Sequence, residues 1–182
     1  MVAQIHRLFF ALKPDAITAA VIARAAEQLQ ATKRVRGRWL RGEKLHLTVH
    51  FLGDFAQPDE IIARSASAAA QVRAPPFEFV LDHATSFRRR FNSPCILRCA
   101  PHTEGALYAL RQELGDALVA TGLGEYLESS FTPHLTVAYA KDALAEPIAI
   151  EPVVWKVSEF ALMDSHVGQS MHAEIERWPL RA

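Results

Sequence analysis

The tetrapeptide His46-Leu47-Thr48-Val49 recurs 88 residues later as His134-Leu135-Thr136-Val137. With this composition, one such tetrapeptide is expected by chance about 0.002 times in the chain, so a matching pair needs a cause. No repeat of the regular period typical of solenoid proteins accompanies the pair. We interpret it as the duplication of one structural half, with one copy of the motif in each half.

Each copy alternates polar and aliphatic residues, which is typical of a β-strand. Residues two apart on a strand share a face, so His46 and Thr48 point to one side while Leu47 and Val49 point to the other. Two such strands facing each other across a groove would surround a small anion with two imidazoles and two hydroxyls. One neutral histidine can then accept a proton from a nucleophile, and one protonated histidine can donate a proton to a leaving oxygen. The threonine hydroxyls can donate to phosphoryl oxygens.

A structural role is the alternative explanation of these residues. A single histidine on a half-buried strand is more often structural than catalytic, and threonine is ordinary on strands. Packing alone, however, does not require the same polar pair twice in one chain. The repeat therefore favours a functional site for phosphoryl chemistry.

The composition is that of a globular domain. The 182 residues are 50% hydrophobic and 22% charged, and 20 basic residues balance 20 acidic ones. This excludes a disordered chain. Zero net charge argues against a broad cationic surface that follows long nucleic acid, but it is compatible with a short anionic ligand in a local basic site.

Apolar periodicity and turn residues predict strands and helices mixed along the chain. The predicted strands span residues 7–12, 45–52, 77–81, 95–99, 131–140, 153–163 and 171–178. The predicted helices span residues 14–31, 58–74 and 103–121, with Thr103 as the N-cap of the last one. Three helices are too few to cross over every strand pair, so an α+β fold with a mainly antiparallel sheet is favoured over a doubly wound parallel sheet.

Cys95 and Cys99 are the only cysteines. They lie four residues apart on a predicted strand, about 13 Å, which is beyond the reach of a disulfide. Without a second Cys/His cluster they are a poor zinc signature, so we expect both to be buried hydrophobes. Since the chain shows no signal peptide and no apolar run approaching about 18 residues, we expect a cytoplasmic location.

Two other catalytic arrangements are disfavoured. His46 and His50 have the i, i+4 spacing of a helical zinc site, but the strand pattern separates them by about 13 Å and no His-Glu-x-x-His motif is present. We therefore expect no metal. Ser165 beside His166 lacks the Gly-x-Ser-x-Gly turn of a hydrolase triad.

The roles of two basic segments stay open. Arg88-Arg89-Arg90 lies between Phe87 and Phe91, and the connector 33–44 carries six basic residues around Trp39. Basic and aromatic side chains together can hold phosphates and stack bases of single-stranded RNA. A solvated basic loop is an equally good interpretation.

The whole pattern resembles the 2H phosphoesterase superfamily, named for two His-x-Thr motifs. The likeness is closest to its LigT-like branch, the RNA 2′,3′-cyclic phosphodiesterases once called 2′-5′ RNA ligases. Four segments carry the resemblance in the family's order: residues 7–12 for the first strand, 45–53 for the first motif, 131–137 for the second motif, and 177–180 for the C-terminal end. It covers nearly the whole chain.

The resemblance implies a bilobal α+β fold formed by residues 1–182 as a single domain. Each half would have a curved antiparallel sheet and outer helices, with the cleft between the halves. It also implies hydrolysis of an RNA terminal 2′,3′-cyclic phosphate to a 2′-phosphomonoester by a monomer, without metal or cofactor. Reversible 2′-5′ RNA ligation is left open. A non-catalytic module that binds RNA ends or nucleotides in the same cleft is the alternative, and the intact acid/base pair argues against it.

The family's roles transfer to the matching positions. His46 would be the proton donor to the leaving 3′ oxygen and His134 the acceptor that activates water, with Thr48 and Thr136 beside them. Tyr139 stands where family members often have arginine, and His172 stands where they often have an aromatic residue. The residues expected to contact the substrate are Phe9, Phe131, Tyr139, Lys141, Ser165 and Arg90, with Lys141 supplying the missing positive charge.

Overall fold

The computed structural model of the protein describes residues 4–40, 42–166 and 171–182. Three α-helices lie in these ranges: α1 (Ala16–Ala31), α2 (Asp59–Ala69) and α3 (Gly105–Ala120). The strands are β1 (His6–Leu12), β2 (Gly37–Trp39), β3 (Leu47–Phe55), β4 (Phe77–Ser86), β5 (Ser93–Cys99), β6 (His134–Ala140), β7 (Ile148–Val157), β8 (Glu159–His166) and β9 (Met171–Pro179). Among the described residues, no helix has the length and apolar character needed to span a membrane.

The strands form one antiparallel sheet that consists of two halves. Its order is β7-β4-β5-β6-β3-β1-β8-β9, and β2 pairs additionally with β6. The halves meet between β6 and β3, where Leu47 pairs with Leu135. All strand pairs between the named strands are antiparallel, which confirms the predicted α+β class.

The main core lies on one face of this sheet. Leu47 and Leu135 are both fully buried in it, at the junction of the two halves. Helix α1 packs against β7, and α2 packs against α3. A smaller cluster lies on the opposite face of β1 and β8 and includes Phe9 and Met163. The junction is therefore covered by core on one face, while its other face is available for a site.

Local chemistry explains where α1 begins. The side chain of Asp15 caps the helix by accepting a hydrogen bond from the Thr18 backbone N–H at 2.7 Å. Ile22 and Leu29 then bury one stripe of the helix. The predicted N-cap of α3 is wrong, because the hydroxyl of Thr103 donates to the Ala100 carbonyl instead, at 2.8 Å.

Three predicted boundaries also differ. Strand β3 continues through Gly53 to Phe55, because Gly53 adopts a φ of 135° and stays paired with β1. The single strand expected over 153–163 is two strands, broken at Ser158, since β7 pairs with β4 in one half and β8 pairs with β1 in the other. Helix α2 ends at Ala69, before the two prolines that were expected to end it.

Candidate active site

The repeated motifs lie side by side at the junction of the two halves. The Leu47–Leu135 pair points into the core, so the residues flanking each leucine face the opposite side of the sheet. These flanking residues are His46, Thr48, His134 and Thr136. We expected the motifs on strands that face each other across a groove, whereas they lie on adjacent strands of one sheet.

A cleft of about 300 Å³ opens over this face. All four polar residues of the repeat line it. The other residues that line it are Arg38, Leu40, Lys44, Tyr139 and His172. The lining is thus rich in hydroxyl, imidazole and cationic groups, the set that binds and reacts with a phosphoryl group.

Both histidines are held by the same backbone contact. The Nδ1 atom of His46 lies 3.0 Å from the carbonyl oxygen of Lys44, and Nδ1 of His134 lies 2.7 Å from that of Thr132. A carbonyl oxygen only accepts hydrogen bonds, so Nδ1–H is the donor in each case. This leaves Nε2 of each imidazole as the nitrogen that can exchange a proton with a ligand.

An aromatic ring supports each histidine as well. The ring of Phe9 lies 5.0 Å from that of His46, and the ring of Phe87 meets that of His134 edge to face at 4.8 Å. Phe9 was expected at the site and lies beside it, without lining the cleft. The sequence indicates Phe87 only as a neighbour of the basic segment 88–90. No local pattern predicts that the chain folds back and brings this ring against His134.

Burial sets the protonation of the two imidazoles. It lowers the pKa of His46 to about 4, because an imidazolium loses hydration in the cleft wall. The hydrogen bond to the Lys44 carbonyl opposes this shift, while electrostatic interactions with His172, His134 and Lys13 add to it. Burial also lowers the pKa of His134. Both side chains are therefore mainly neutral at pH 7 in the empty cleft.

A β-bulge lies at the last residue of each motif. Val49 in β3 and Val137 in β6 are each the extra residue opposite a continuous partner strand. Because a bulge shifts the alternation of the residues after it, Tyr139 returns to the face of Thr136 and lines the cleft. His50, in contrast, turns into the core and is 4% exposed.

The cation beside Tyr139 comes from another strand. Arg38 pairs with Tyr139 across β2 and β6, and its guanidinium lies 5.4 Å from the centre of the tyrosine ring. This approach requires Gly37, since a Cβ there would lie 2.1 Å from the Tyr139 carbonyl oxygen. Lys141, expected to supply this charge, lies past the end of β6 and is exposed, with its backbone N–H donating to the Arg36 carbonyl.

The hairpin of β8 and β9 contributes one wall of the cleft. It carries His172, whose ring lies 5.6 Å from that of His46 and 6.2 Å from that of Phe9. Ser165 pairs directly with His172 but does not line the cleft. The sequence singled out His172 only as a departure from the family pattern, and its contact with His46 depends on the pairing of β8 with β1.

Two of the expected substrate contacts lie elsewhere. Phe131 packs against Tyr108, with ring centroids 5.4 Å apart, and under the guanidinium of Arg111 at 4.6 Å. It lines a separate surface cavity of about 630 Å³. Arg90 lies in an exposed loop over the ring of Phe91.

Comparison with known proteins shows the family of the chain. The family model of the 2′-5′ RNA ligase superfamily matches residues 13–169, which is most of the chain. The chain belongs to this superfamily. The resemblance inferred from the two motifs is thereby confirmed.

Similar proteins carry related names. The chain is 27% identical over 150 residues to the RNA 2′,3′-cyclic phosphodiesterase of Geobacillus stearothermophilus, an alignment that covers 78% of this chain and 47% of that protein. This chain thus spans about half the length of the Geobacillus stearothermophilus protein. It is 28% identical to the Thermotoga maritima protein of the same name over 134 residues, 70% of each chain.

Solved structures show the same fold. The chain superimposes on apo LigT of E. coli with a TM-score of 0.72 and 27% identity, covering 98% of this chain and 99% of LigT. LigT has also been solved in complex with 3′-AMP, and the TM-score with that structure is 0.73 at 25% identity. The antiparallel α+β architecture is therefore shared with LigT.

Proposed function

We propose that the protein hydrolyses RNA-terminal 2′,3′-cyclic phosphates to 2′-phosphomonoesters by a two-histidine acid/base mechanism without metal. The observation that carries this proposal is the matched anchoring of His46 and His134. Each donates from Nδ1 to a backbone carbonyl, which leaves two Nε2 atoms for proton transfer in one cleft. A binding module needs no such matched pair.

In the proposed reaction, His134 accepts a proton from water through Nε2 while the water oxygen forms a bond to phosphorus. The bond from phosphorus to the 3′ oxygen breaks, and His46 donates a proton from Nε2 to that oxygen. The 2′ ester bond stays, so the product is a 2′-phosphomonoester. Thr48 and Thr136 donate hydrogen bonds to the phosphoryl oxygens, and Arg38 balances their charge.

Because the pKa of His46 is low, the substrate itself has to favour protonation of this histidine. A proton donor must be protonated, yet His46 has a pKa of about 4 in the empty cleft. An anionic phosphodiester close to its Nε2 favours the charged imidazolium and raises that pKa. The substrate therefore helps to generate the acid that acts on it, and a neutral ligand would not.

The names of relatives support the substrate class. The Geobacillus stearothermophilus and Thermotoga maritima relatives are both named RNA 2′,3′-cyclic phosphodiesterases, and LigT has been solved with 3′-AMP bound. A 2′,3′-cyclic phosphate has one negative charge and two ester oxygens on neighbouring carbons, and a compact cleft of about 300 Å³ suits such a ring.

The proposal also covers the domain organisation, the oligomeric state and the cellular location of the protein. One main core cluster runs through both halves of the sheet, which supports a single bilobal unit formed by residues 1–182. We propose in addition that this unit acts as a monomer. Cys95 and Cys99 are both free, and burial raises their pKa values to about 11 and about 12. Unreactive, unpaired thiols suit the reducing cytoplasm.

The test is hydrolysis of adenosine 2′,3′-cyclic phosphate and of a short RNA with a cyclic end, in the presence of EDTA. We expect turnover to the 2′-phosphate, and none in a His46→Ala/His134→Ala double variant. Mainly 3′-phosphate product would overturn the assigned donor and acceptor roles. Loss of activity with EDTA would overturn the metal-free mechanism, and tight binding without turnover would identify an RNA-end binding module. An added RNA with a 5′-hydroxyl end tests 2′-5′ ligation in the same assay.

A further inference from the structure

A second group of histidines lies at the end of the β1–β8 pair. The Nδ1 atom of His6 lies 2.6 Å from Oδ2 of Asp164, and Nε2 of His166 lies 3.1 Å from the same oxygen. The two imidazole rings meet edge to face, with centroids 5.0 Å apart. The donor atoms of the three side chains all lie within 4.8 Å of one another.

This group is separate from the cleft. His6 pairs with His166, and Leu8 pairs with Asp164. Directly opposed residues share a face, so the group lies on the face of Leu8, which is part of the main core. Phe9, beside the cleft, lies on the other face of the same strand.

The carboxylate of Asp164 is incompletely satisfied. The residue is 6% exposed, and its Oδ1 atom has no hydrogen-bond partner among the residues that the structure describes. Buried carboxylate oxygens normally have partners, so an orphaned one calls for an additional ligand. The adjacent His6 and His166 side chains are 23% and 21% exposed, which leaves a path from solvent to the group.

Two imidazole nitrogens and a carboxylate oxygen are typical ligands of zinc. Bonds of about 2.0–2.2 Å in a tetrahedral site separate the donor atoms by about 3.4 Å. The present separations lie on both sides of that value, from 2.6 Å up to at most 4.8 Å. Small side-chain rotations would equalise them, and each neutral histidine would bind the ion through its unprotonated nitrogen while its other ring nitrogen carries the proton. Calcium and magnesium prefer all-oxygen sites and do not match this set.

We propose that His6, Asp164 and His166 form a binding site for a divalent transition-metal ion of the zinc type, with the fourth position open to water. The site joins the end of β8 to the start of β1. Ser165, between two of the ligands, pairs with His172 of the cleft wall. The bound ion would thus lie at the end of the β8–β9 hairpin where His166 pairs with Met171. It would take no part in the reaction, so EDTA would empty this site and leave turnover unchanged.

The test is calorimetric titration of the full chain with Zn²⁺, together with absorption spectroscopy with Co²⁺ as the probe. We expect one saturable site in the wild type and a tetrahedral Co²⁺ spectrum. His6→Ala, Asp164→Asn and His166→Ala should each weaken Zn²⁺ binding at least about 10-fold, because each removes one ligand. Asp164→Asn retains the side-chain shape, and circular dichroism checks that each variant is folded.

Two controls localise the ion. His83→Ala removes a histidine from an isolated His–Asp pair, in which Nδ1 lies 2.5 Å from Asp82, and should leave binding unchanged. His46→Ala alters the other histidine cluster and should also leave it unchanged. Binding that is lost in His46→Ala but kept in His6→Ala would place the ion in the cleft and overturn the proposal. Absence of saturable Zn²⁺ binding by the wild type would overturn it as well.

Discussion

His46 and His50 provide a matched test of what the motif does. Both are histidines of the same segment, four residues apart, and burial lowers the pKa of each to about 4. The bulge at Val49 separates their functions, because His46 lines the cleft while His50 faces the core and bonds the Arg111 carbonyl at 2.8 Å. We expect His46→Ala to slow turnover strongly in a stable protein. We expect His50→Ala to retain turnover per folded molecule in a weakened protein.

The two magnitudes follow from the contacts. Loss of a positioned acid slows the reaction about 10²–10⁴-fold, equivalent to about 2.7–5.5 kcal/mol in the barrier. His50→Ala removes the additional hydrogen bond to the Arg111 carbonyl and opens a cavity against Gly115, together costing about 2–4 kcal/mol in the free energy of unfolding. For a chain of this length, that lowers Tm by roughly 4–16 °C.

The assay combines initial rates on a cyclic-phosphate nucleotide with thermal unfolding of the same samples. His46→Ala should lower the rate and leave Tm unchanged, whereas His50→Ala should lower Tm and leave the rate per folded molecule unchanged. A folded His46→Ala protein with near-wild-type turnover would refute the assignment of the acid. A His50→Ala protein that unfolds at the wild-type temperature would refute the buried role given to that ring.

Three further predictions concern the rest of the cleft. Thr48→Ala and Thr136→Ala should each lower kcat less than the loss of either histidine does, because a neutral hydroxyl donor contributes less than proton transfer. The corresponding serine variants keep the hydroxyl and should be tolerated. Serine variants as damaging as the alanine variants would indicate a packing role for the methyl group. Arg38→Ala should lower kcat/KM about 10–100-fold by removing a charged contact, while Lys141→Ala leaves it unchanged, and steady-state kinetics of both variants show which cation serves the substrate. The pH profile of kcat/KM reports the pKa values of the free protein, in which burial lowers the pKa of both histidines and that of His46 to about 4. Activity should therefore peak below pH 6.5 and fall as the pH rises. A maximum at or above pH 7 would contradict the burial of these side chains.

Unperturbed imidazoles would have placed this optimum near neutral pH. The downward displacement comes from desolvation in the cleft wall, which is a property of the folded chain. NMR titration of the histidine ring protons, with and without a 2′-phosphate nucleotide, measures it directly. The anion should raise both pKa values, since it favours the charged imidazolium.

The sequence by itself determined the features that depend on local spacing. The repeat marks His46 and His134 with their threonines, and strand alternation places each pair on one face. The mixed order of strands and helices predicts the antiparallel α+β class, which the sheet confirms. The burial of Cys95 follows in the same way and is confirmed.

Only the tertiary structure decided how distant segments meet. The pairing of Leu47 with Leu135, the bulges that follow it, and the approach of Arg38 to Tyr139 all depend on register between strands far apart in the chain. A local pattern reports which face a residue takes relative to its neighbours, but it does not specify which strand lies alongside or where a bulge shifts the alternation. For this reason the sequence assigned the positive charge to Lys141, whereas folding brings in Arg38.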